Sequence, residues 1–200
     1  MAVPAMTRPN MIGALKTFGW KCRTTAEVDR ALRDFQRGWN LGPALTVDGK
    51  NGPLTRTALR TSLNRRKAGK PDASEHFSFR EFACKCGGRR AGCAVIRVHR
   101  ELLGGLEQLR ALQGPISVLS GYRCPAHNAS VDGATSSQHV LGAACDIPPK
   151  LTTAAVRRLR AFAGIGYQGS TGLVRHVDRR DVSGTNSTGG TVGRPTTWRY

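Results

Sequence analysis

The sequence contains no long apolar run, and no stretch approaches the roughly 20 consecutive apolar residues that a helix needs to cross a bilayer. Its first residues, "MAVPAMTRPNMIGALKTFGWKC", also lack the continuous apolar core of a secretory signal peptide. We therefore expect no membrane insertion. We also expect the chain to stay in the compartment where it is made until another event releases it.

The sequence also contains few acidic residues. The 200 residues include 13 Asp and Glu against 31 Lys and Arg, which gives a formal net charge of +18. The excess is spread along the chain, so the protein should be attracted to polyanions, either nucleic acid or the anionic wall and membrane of a bacterium. Charge alone does not choose between them. The 39% apolar content is that of a globular chain, long enough for one medium domain or two small ones.

Cysteine is present, but its pattern does not by itself reveal the redox compartment. Disulfides would suit a protein that works outside the cell, whereas a zinc cluster of thiolates would suit one that works inside. Cys84-x-Cys86 and Cys93 would need one further thiolate to form a zinc knuckle. Because C-x-C is not the usual C-x₂-C spacing, structural disulfides or free thiols are favoured here. The six cysteines are Cys22, Cys84, Cys86, Cys93, Cys124 and Cys145.

Residues 64–75, "NRRKAGKPDASE", separate two parts of different character. This stretch has no apolar periodicity, is basic, and contains a Gly and a Pro, which predicts a linker. Residues 1–63 should form a small helical domain, because Val28, Leu32 and Phe35 recur at helical spacing. The later pair Gly52-Pro53 is suited to open a further helix.

Residues 76–200 should form an α+β domain with a small antiparallel sheet. Helical periodicity predicts helices over 95–112 and 151–163, whereas β-branched residues predict strands over 115–123 and 172–180. Helices and strands mixed in this order are typical of the α+β class.

The stretch "SSQHVLGAACDIPP" places His139 and Asp146 seven residues apart among small and apolar residues. Catalytic zinc takes three protein ligands and leaves a further position open, and His176 is the candidate for the third. On a strand over 172–180, His176 and Asp178 point to the same face, because side chains alternate with period two. We therefore expect His176 to bind metal and Asp178 to accept a proton from the attacking water.

Three motifs in this region resemble those of a known family. The pattern S-x-H-x-x-G-x-A-x-D over residues 137–146 is similar to the signature of the zinc D-Ala-D-Ala carboxypeptidase family. That family includes vancomycin-resistance D,D-dipeptidases, murein endopeptidases and phage L-alanyl-D-glutamate peptidases. The sequences SGYR at 120–123 and HVD at 176–178 resemble two further elements, in the same order. The resemblance covers about residues 76–180 and implies a zinc-dependent peptidase.

The resemblance implies roles for the matched residues. His139, Asp146 and His176 would be the zinc ligands. Arg123 would hold the carbonyl or carboxylate of the substrate and stabilise the developing oxyanion, since its fixed fork of donors suits either task. Zinc in such a site would polarise the scissile carbonyl.

Ser120 and Ser137, which lie within the matched motifs, are expected to contact the substrate. The catalytic base is where this chain departs from the family. Many relatives carry Glu or Asp three residues before the last histidine ligand, and this chain has Leu173 there. Asp178 is the acidic residue left in the motif, so the base role is assigned to it, with Asp181 as a weaker candidate.

Residues 8–63 resemble the peptidoglycan-binding domain found beside many wall hydrolases. The shared pattern consists of Phe35-Gln36, Val47-Asp48-Gly49, Gly52-Pro53, Thr55 and Ala58-Leu59. The resemblance implies that this part binds glycan or stem peptide and does no chemistry. The alternative is a generic helical domain whose Gly and Pro residues only form turns.

These observations predict a two-domain cell-wall hydrolase of the phage endolysin type. It would act as a monomer, bind bacterial peptidoglycan, cut a stem or cross-link peptide with Zn²⁺, and recognise no specific nucleic acid. It would be made in the host cytoplasm and reach the wall after release. Two alternatives stay open: a carboxypeptidase that trims terminal D-Ala for the host, and a non-catalytic basic module that binds wall polymer or nucleic acid. The bond that is cut is left open among L-Ala–D-Glu, D-Ala–D-Ala and cross-bridge peptides.

Overall fold

The computed structural model describes residues 6–182 and 189–199, and its N-terminal part is helical, as predicted. The first two helices start at threonine caps: Thr7 Oγ1 accepts a hydrogen bond from Asn10 N, and Thr24 Oγ1 accepts one from Glu27 N at 3.2 Å. Pro53 is the first residue of the third helix, where its missing N–H costs nothing. These helices are α1 (Arg8–Phe18), α2 (Thr25–Gly38) and α3 (Pro53–Lys67).

The side-chain amide of Gln36 ties α2 to the loop that precedes α3. Its Oε1 accepts a hydrogen bond from Gly49 N at 2.8 Å, and its Nε2 donates to Asp48 Oδ1, Lys50 O and Thr55 Oγ1 at 2.9–3.1 Å. Gly49 has a φ of +72°, a conformation that favours glycine. The spacing of the N-terminal sequence motif therefore reflects a requirement of folding, because its Gln, Asp, Gly and Thr form one hydrogen-bonded group.

Residues 64–75, the predicted linker, are exposed over 67–70 but packed over 72–74. Helix α3 extends into the first part of this stretch, and residues 72–74 are fully buried. The physical reason is that their polar groups have partners: Ser62 Oγ, for example, donates a hydrogen bond to Asp72 O at 2.7 Å. Polar residues that read as a linker are thus part of the packed interior.

One hydrophobic core joins the N-terminal helices to the rest of the described chain. The ring of Phe79, which follows the predicted linker, lies 5.4 Å from the ring of Phe35 and 4.9 Å from that of Trp20, measured between centroids. Phe18 stacks on Phe35 at 5.8 Å. Aromatic pairs at such distances add stability beyond the area they bury. The predicted domain boundary is therefore not a gap in packing, and the assignment of separate tasks to the two parts stays a prediction.

The remaining elements confirm the α+β class, but the sheet is mixed rather than antiparallel. Strands β1 and β2 both pair antiparallel with β3, whereas β2 and β4 are parallel. The end of β3 and the start of β4 both lie beside Gly164, the first residue of β2, so β4 must run in the direction of β2. The order across the sheet is β1-β3-β2-β4. The elements are a 3₁₀ turn (Phe79–Phe82), α4 (Arg100–Gln113), α5 (Pro125–Ala129), α6 (Gln138–Leu141), β1 (Ala144–Asp146), α7 (Thr153–Arg158), β2 (Gly164–Tyr167), β3 (Val174–Asp178) and β4 (Thr196–Arg199).

Some predicted elements differ in extent. The helix expected from residue 95 begins only at Arg100, because Val95 has a φ of +69° and cannot start a right-handed helix. The strand expected over 115–123 is reduced to an isolated bridge between Ser120 and Asp146. At Gly121 the chain packs closely against another backbone segment, because a Cβ there would lie 2.6 Å from the Cα of Phe82. Among the described residues, no helix has the length and apolarity required to span a membrane.

Candidate metal centre

Three side chains from different elements bring potential ligand atoms together. His139 Nε2, on α6, lies 3.2 Å from Asp146 Oδ1 and 3.2 Å from His176 Nδ1, and the last two atoms are 2.9 Å apart. Asp146 on β1 and His176 on β3 are cross-strand partners, so the sheet register itself sets this approach. Zinc with bonds of about 2.0–2.1 Å in tetrahedral geometry requires ligand atoms about 3.3 Å apart. The three atoms therefore fit one face of such a site.

Each histidine is oriented by a partner on its other nitrogen. His139 Nδ1 donates to the backbone carbonyl of Gly121 at 2.7 Å, and His176 Nε2 donates to Asp178 Oδ2 at 3.3 Å. This arrangement directs the remaining ring nitrogens to the same point, as metal-binding histidines require. The contact between His176 and Asp178 agrees with the prediction that these two side chains lie on the same face of the strand.

Burial and mutual contacts set the charges of the group. Burial lowers the pKa of His139, which favours the neutral imidazole that binds metal. Burial raises the pKa of Asp146, but its close contacts with the imidazoles of His139 and His176 outweigh burial and hold the pKa well below its usual range. Burial lowers the pKa of His176, but Asp146 and Asp178 attract positive charge to it and leave the pKa raised. A divalent cation would supply the positive charge that these two carboxylates attract.

Asp178 has no exposed side-chain surface. Its Oδ1 accepts hydrogen bonds from Arg180 N and Nε at 3.1 and 2.9 Å, and its Oδ2 accepts one from Arg180 Nη2 at 2.6 Å. Burial raises its pKa, but the bonds from Arg180 and His176 bring the pKa down to about 2. The guanidinium of Arg180 in turn lies 4.8 Å from the ring centre of Trp198 on β4. These contacts suit a residue that orients His176, and the base role of Asp178 stays a prediction.

Arg123 lies at the edge of the ligand triangle. Its guanidinium pairs with Asp146 Oδ2, and its Nε donates to Ser120 Oγ at 3.0 Å. The backbone of Arg123 is fixed as well, because its N–H donates to His139 O at 3.1 Å. Ser120 thus contacts Arg123, and Ser137 lines the adjoining pocket. Asp181, the weaker candidate for the base, pairs with Arg179 at 2.8 and 3.0 Å.

A pocket of about 670 Å³ opens onto these groups. Sequence reasoning missed Asp132 and Arg180, which also line it. The position of Arg180 could have been predicted, because side chains alternate along a strand and residues 176, 178 and 180 therefore share one face. Asp132 gave no signal beyond an Asp-Gly turn. The pocket is lined by Arg123, Val131, Asp132, Gly133, Ala134, Ser136, Ser137, Gln138, His139, Asp146, Arg175, His176, Asp178, Arg180, Thr196 and Trp198.

Comparison with known proteins agrees with this geometry. A family model described as peptidase M15 matches residues 75–178, a segment that contains Arg123 and the three candidate ligands. No curated protein matches the chain significantly. Because the matched segment makes up more than half of the 200 residues and contains a complete ligand triangle, this chain belongs to the peptidase M15 family, a family of metal-dependent peptidases.

Proposed function

We propose that this protein is a zinc-dependent peptidase that hydrolyses a peptide bond in the stem or cross-link peptides of bacterial peptidoglycan, in the manner of a phage endolysin. The observation that carries the proposal is the triangle of His139, Asp146 and His176, which lines a pocket together with Arg123. Two imidazole nitrogens and one carboxylate oxygen form a set of donors that zinc prefers. When bound, zinc supplies a Lewis acid that polarises a carbonyl and lowers the pKa of water.

Arg123 is proposed to bind the substrate. Its guanidinium is held by Ser120 and Asp146 next to the ligand triangle, so a carbonyl or carboxylate brought to the triangle would lie within reach of its donors. A planar fork of N–H groups suits either group. Stem peptides that contain D-Glu or terminal D-Ala carry such carboxylates, and the arginines that line the pocket favour them.

Asp178 is proposed to accept the proton from the attacking water, as its place in the motif suggests. Its pKa of about 2 keeps it ionised at neutral pH, but its bonds to Arg180 and His176 must loosen before it can take a proton. Asp132 is the other carboxylate, besides Asp146, that lines the pocket among the described residues. Asp132→Asn is therefore the matched control for Asp178→Asn in any test of the base.

The N-terminal helices are proposed to hold the protein on the wall. A groove of about 580 Å³ lies between α1 and α3, lined in part by Asn10, Gly13 and Asn64. Nothing lies within 4 Å of a Cβ at Gly13, so we expect Gly13→Gln to be accommodated and to extend into this groove. The matched control is Gly104→Gln on α4, where the nearest atom would be 3.8 Å away. Weaker sedimentation with purified sacculi for Gly13→Gln alone would support the groove as the binding site.

The activity is tested with purified peptidoglycan. The wild type should clear the suspension, whereas His139→Ala should lose both the clearing and one equivalent of zinc by mass spectrometry. His76→Ala is the matched control, because His76 is exposed and pairs with Glu107 away from the pocket. Zinc at the triangle without any clearing would refute the hydrolase and favour the binding module. Release of free D-Ala alone would favour the carboxypeptidase, and larger fragments would name the bond that is cut.

A further inference from the structure

A second group of potential ligands lies outside the triangle. The Sγ atoms of Cys84, Cys86, Cys93 and Cys124 all lie within 4.8 Å of one another. Cys86 Sγ is 3.4 Å from Cys84 Sγ, 3.4 Å from Cys93 Sγ and 3.8 Å from Cys124 Sγ. None of the six cysteines forms a disulfide in the structure. The close approach of four of them favours the metal site that the C-x-C spacing argued against.

We propose that Cys84, Cys86, Cys93 and Cys124 bind a structural zinc ion. Four sulfurs around zinc, with bonds of about 2.3 Å, lie about 3.8 Å apart. The separations measured here are close to that value and far from the roughly 2.05 Å of a disulfide. Cys86 also has three sulfur neighbours at similar distances, whereas a disulfide would select one of them. A single ion at the centre of the group accounts for all of these contacts.

The loop that carries three of the cysteines is shaped for this arrangement. Gly87 N donates to Cys84 O at 2.8 Å, and Arg89 N donates to Cys86 O at 3.0 Å, so each of these two cysteines begins a tight turn. Gly87 has a φ of +60°, which the turn requires and glycine tolerates. The C-x-C spacing is accommodated because the fourth sulfur comes from a distant segment, at Cys124.

Hydrogen bonds and charge favour thiolates at this position. Cys124 N donates to Cys84 Sγ at 3.4 Å, and Val95 N donates to Cys93 Sγ at 3.4 Å. Four thiolates with one Zn²⁺ carry a net charge of −2, which the surrounding cations would balance. The loop itself supplies basic residues at 85, 89 and 90, and Lys21 Nζ donates to Gly88 O at 2.8 Å.

The position of the group connects it to the active site. Cys124 directly follows Arg123 and precedes α5, and Tyr122 N donates to Phe82 O at 3.0 Å. An ion bound by Cys124 and by the 84–93 loop therefore fixes the backbone on one side of Arg123. Its role is to position Arg123, and it takes no part in the chemistry.

The test counts metal in a chain whose first site is removed. The full-length His139→Ala variant, purified without added metal, should contain one zinc and no iron by mass spectrometry. His139→Ala with Cys86→Ser should contain none, and His139→Ala with Cys22→Ala should keep one, because Cys22 is buried but outside the group. Loaded with Co²⁺, the single variant should show a sulfur-to-cobalt charge-transfer band that Cys86→Ser abolishes.

Two results would overturn the proposal, and neither depends on whether Cys86→Ser folds. The first is a His139→Ala chain that holds no zinc, or iron in place of zinc. The second is failure to alkylate any of Cys84, Cys86, Cys93 and Cys124 in the chain denatured with a chelator and without reductant, which would show that these thiols form disulfides. The zinc count does not depend on enzyme activity, because His139→Ala has none under the proposed function. The count therefore tests the cysteine site whether or not the protein proves to be a peptidase.

Discussion

Asp178→Asn tests what the buried carboxylate does for the metal centre. The substitution keeps the size of the side chain but removes the charge that faces His176 Nε2 at 3.3 Å and Arg180 Nη2 at 2.6 Å. Removing a carboxylate that orients a metal-binding histidine costs about 10- to 100-fold in metal affinity, or about 1.4–2.7 kcal/mol. We therefore expect Zn²⁺ to bind Asp178→Asn more weakly by this factor, and Asp132→Asn to bind it as the wild type does.

The assay is a zinc titration against a competing chelator, followed by kcat measured at saturating zinc. If Asp178 only orients His176, kcat of Asp178→Asn should recover once the metal site is full. If Asp178 is also the base, kcat should stay lower by about 10²- to 10⁴-fold. Zinc affinity within twofold of the wild type would refute the orienting role, since the loss of a charged partner would then have no effect on His176.

Three further predictions concern stability and are measured by urea denaturation. Gly164→Ala should destabilise the fold by about 1–3 kcal/mol through overpacking, because its Cβ would lie 2.3 Å from Asp178 Oδ2; a loss below 0.5 kcal/mol would contradict this close approach. Burial lowers the pKa of His99 from 6.5 to about 4, so between these pH values the unfolded chain binds more protons than the folded chain. The free energy of unfolding should therefore fall by up to about 3 kcal/mol as the pH drops from 6.5 to 4. His99→Gln should flatten this dependence, and an unchanged slope would show that another group causes it. Phe79→Ala should lower the free energy of unfolding by about 3–5 kcal/mol, and the unfolding transitions followed by tryptophan fluorescence and by far-ultraviolet circular dichroism should shift together. Leu54→Ala, at a residue that is 68% exposed, should shift neither transition. Separate transitions in Phe79→Ala would refute a shared core.

Much of the candidate site follows from local sequence, because His139 and Asp146 are close in the chain and His176 alternates with Asp178 on one strand. The spacing of His139 and Asp146 and the common face of His176 and Asp178 are properties of a short segment. The partner of His139 Nδ1 could not be predicted, because it is a backbone carbonyl, Gly121 O, and backbone groups carry no sequence signal. The contact between Asp146 and His176 depends on strand register, which is set by tertiary packing.

The features of the fold that were not predicted from the sequence have the same origin. Residues 72–74 read as a linker because they are small or polar, and only distant partners such as Ser62 reveal that they are buried. The cysteine group required Cys124 to meet a loop some 30 residues earlier, and spacing within the loop alone argued against it. The parallel pairing of β4 depends on where the chain returns after β3, which no local pattern encodes.

The aromatic cluster around Phe79 limits how this protein can be re-engineered. Proteins whose domains are joined by exposed, flexible linkers can be divided at the linker, and one domain can be exchanged for another. Here a cut within residues 64–75 would remove the partners of Phe79, including Phe35 and Trp20, and would leave a large apolar surface open to water. We expect such a truncated chain to aggregate. A further module is therefore better fused to the whole protein than exchanged for the N-terminal helices.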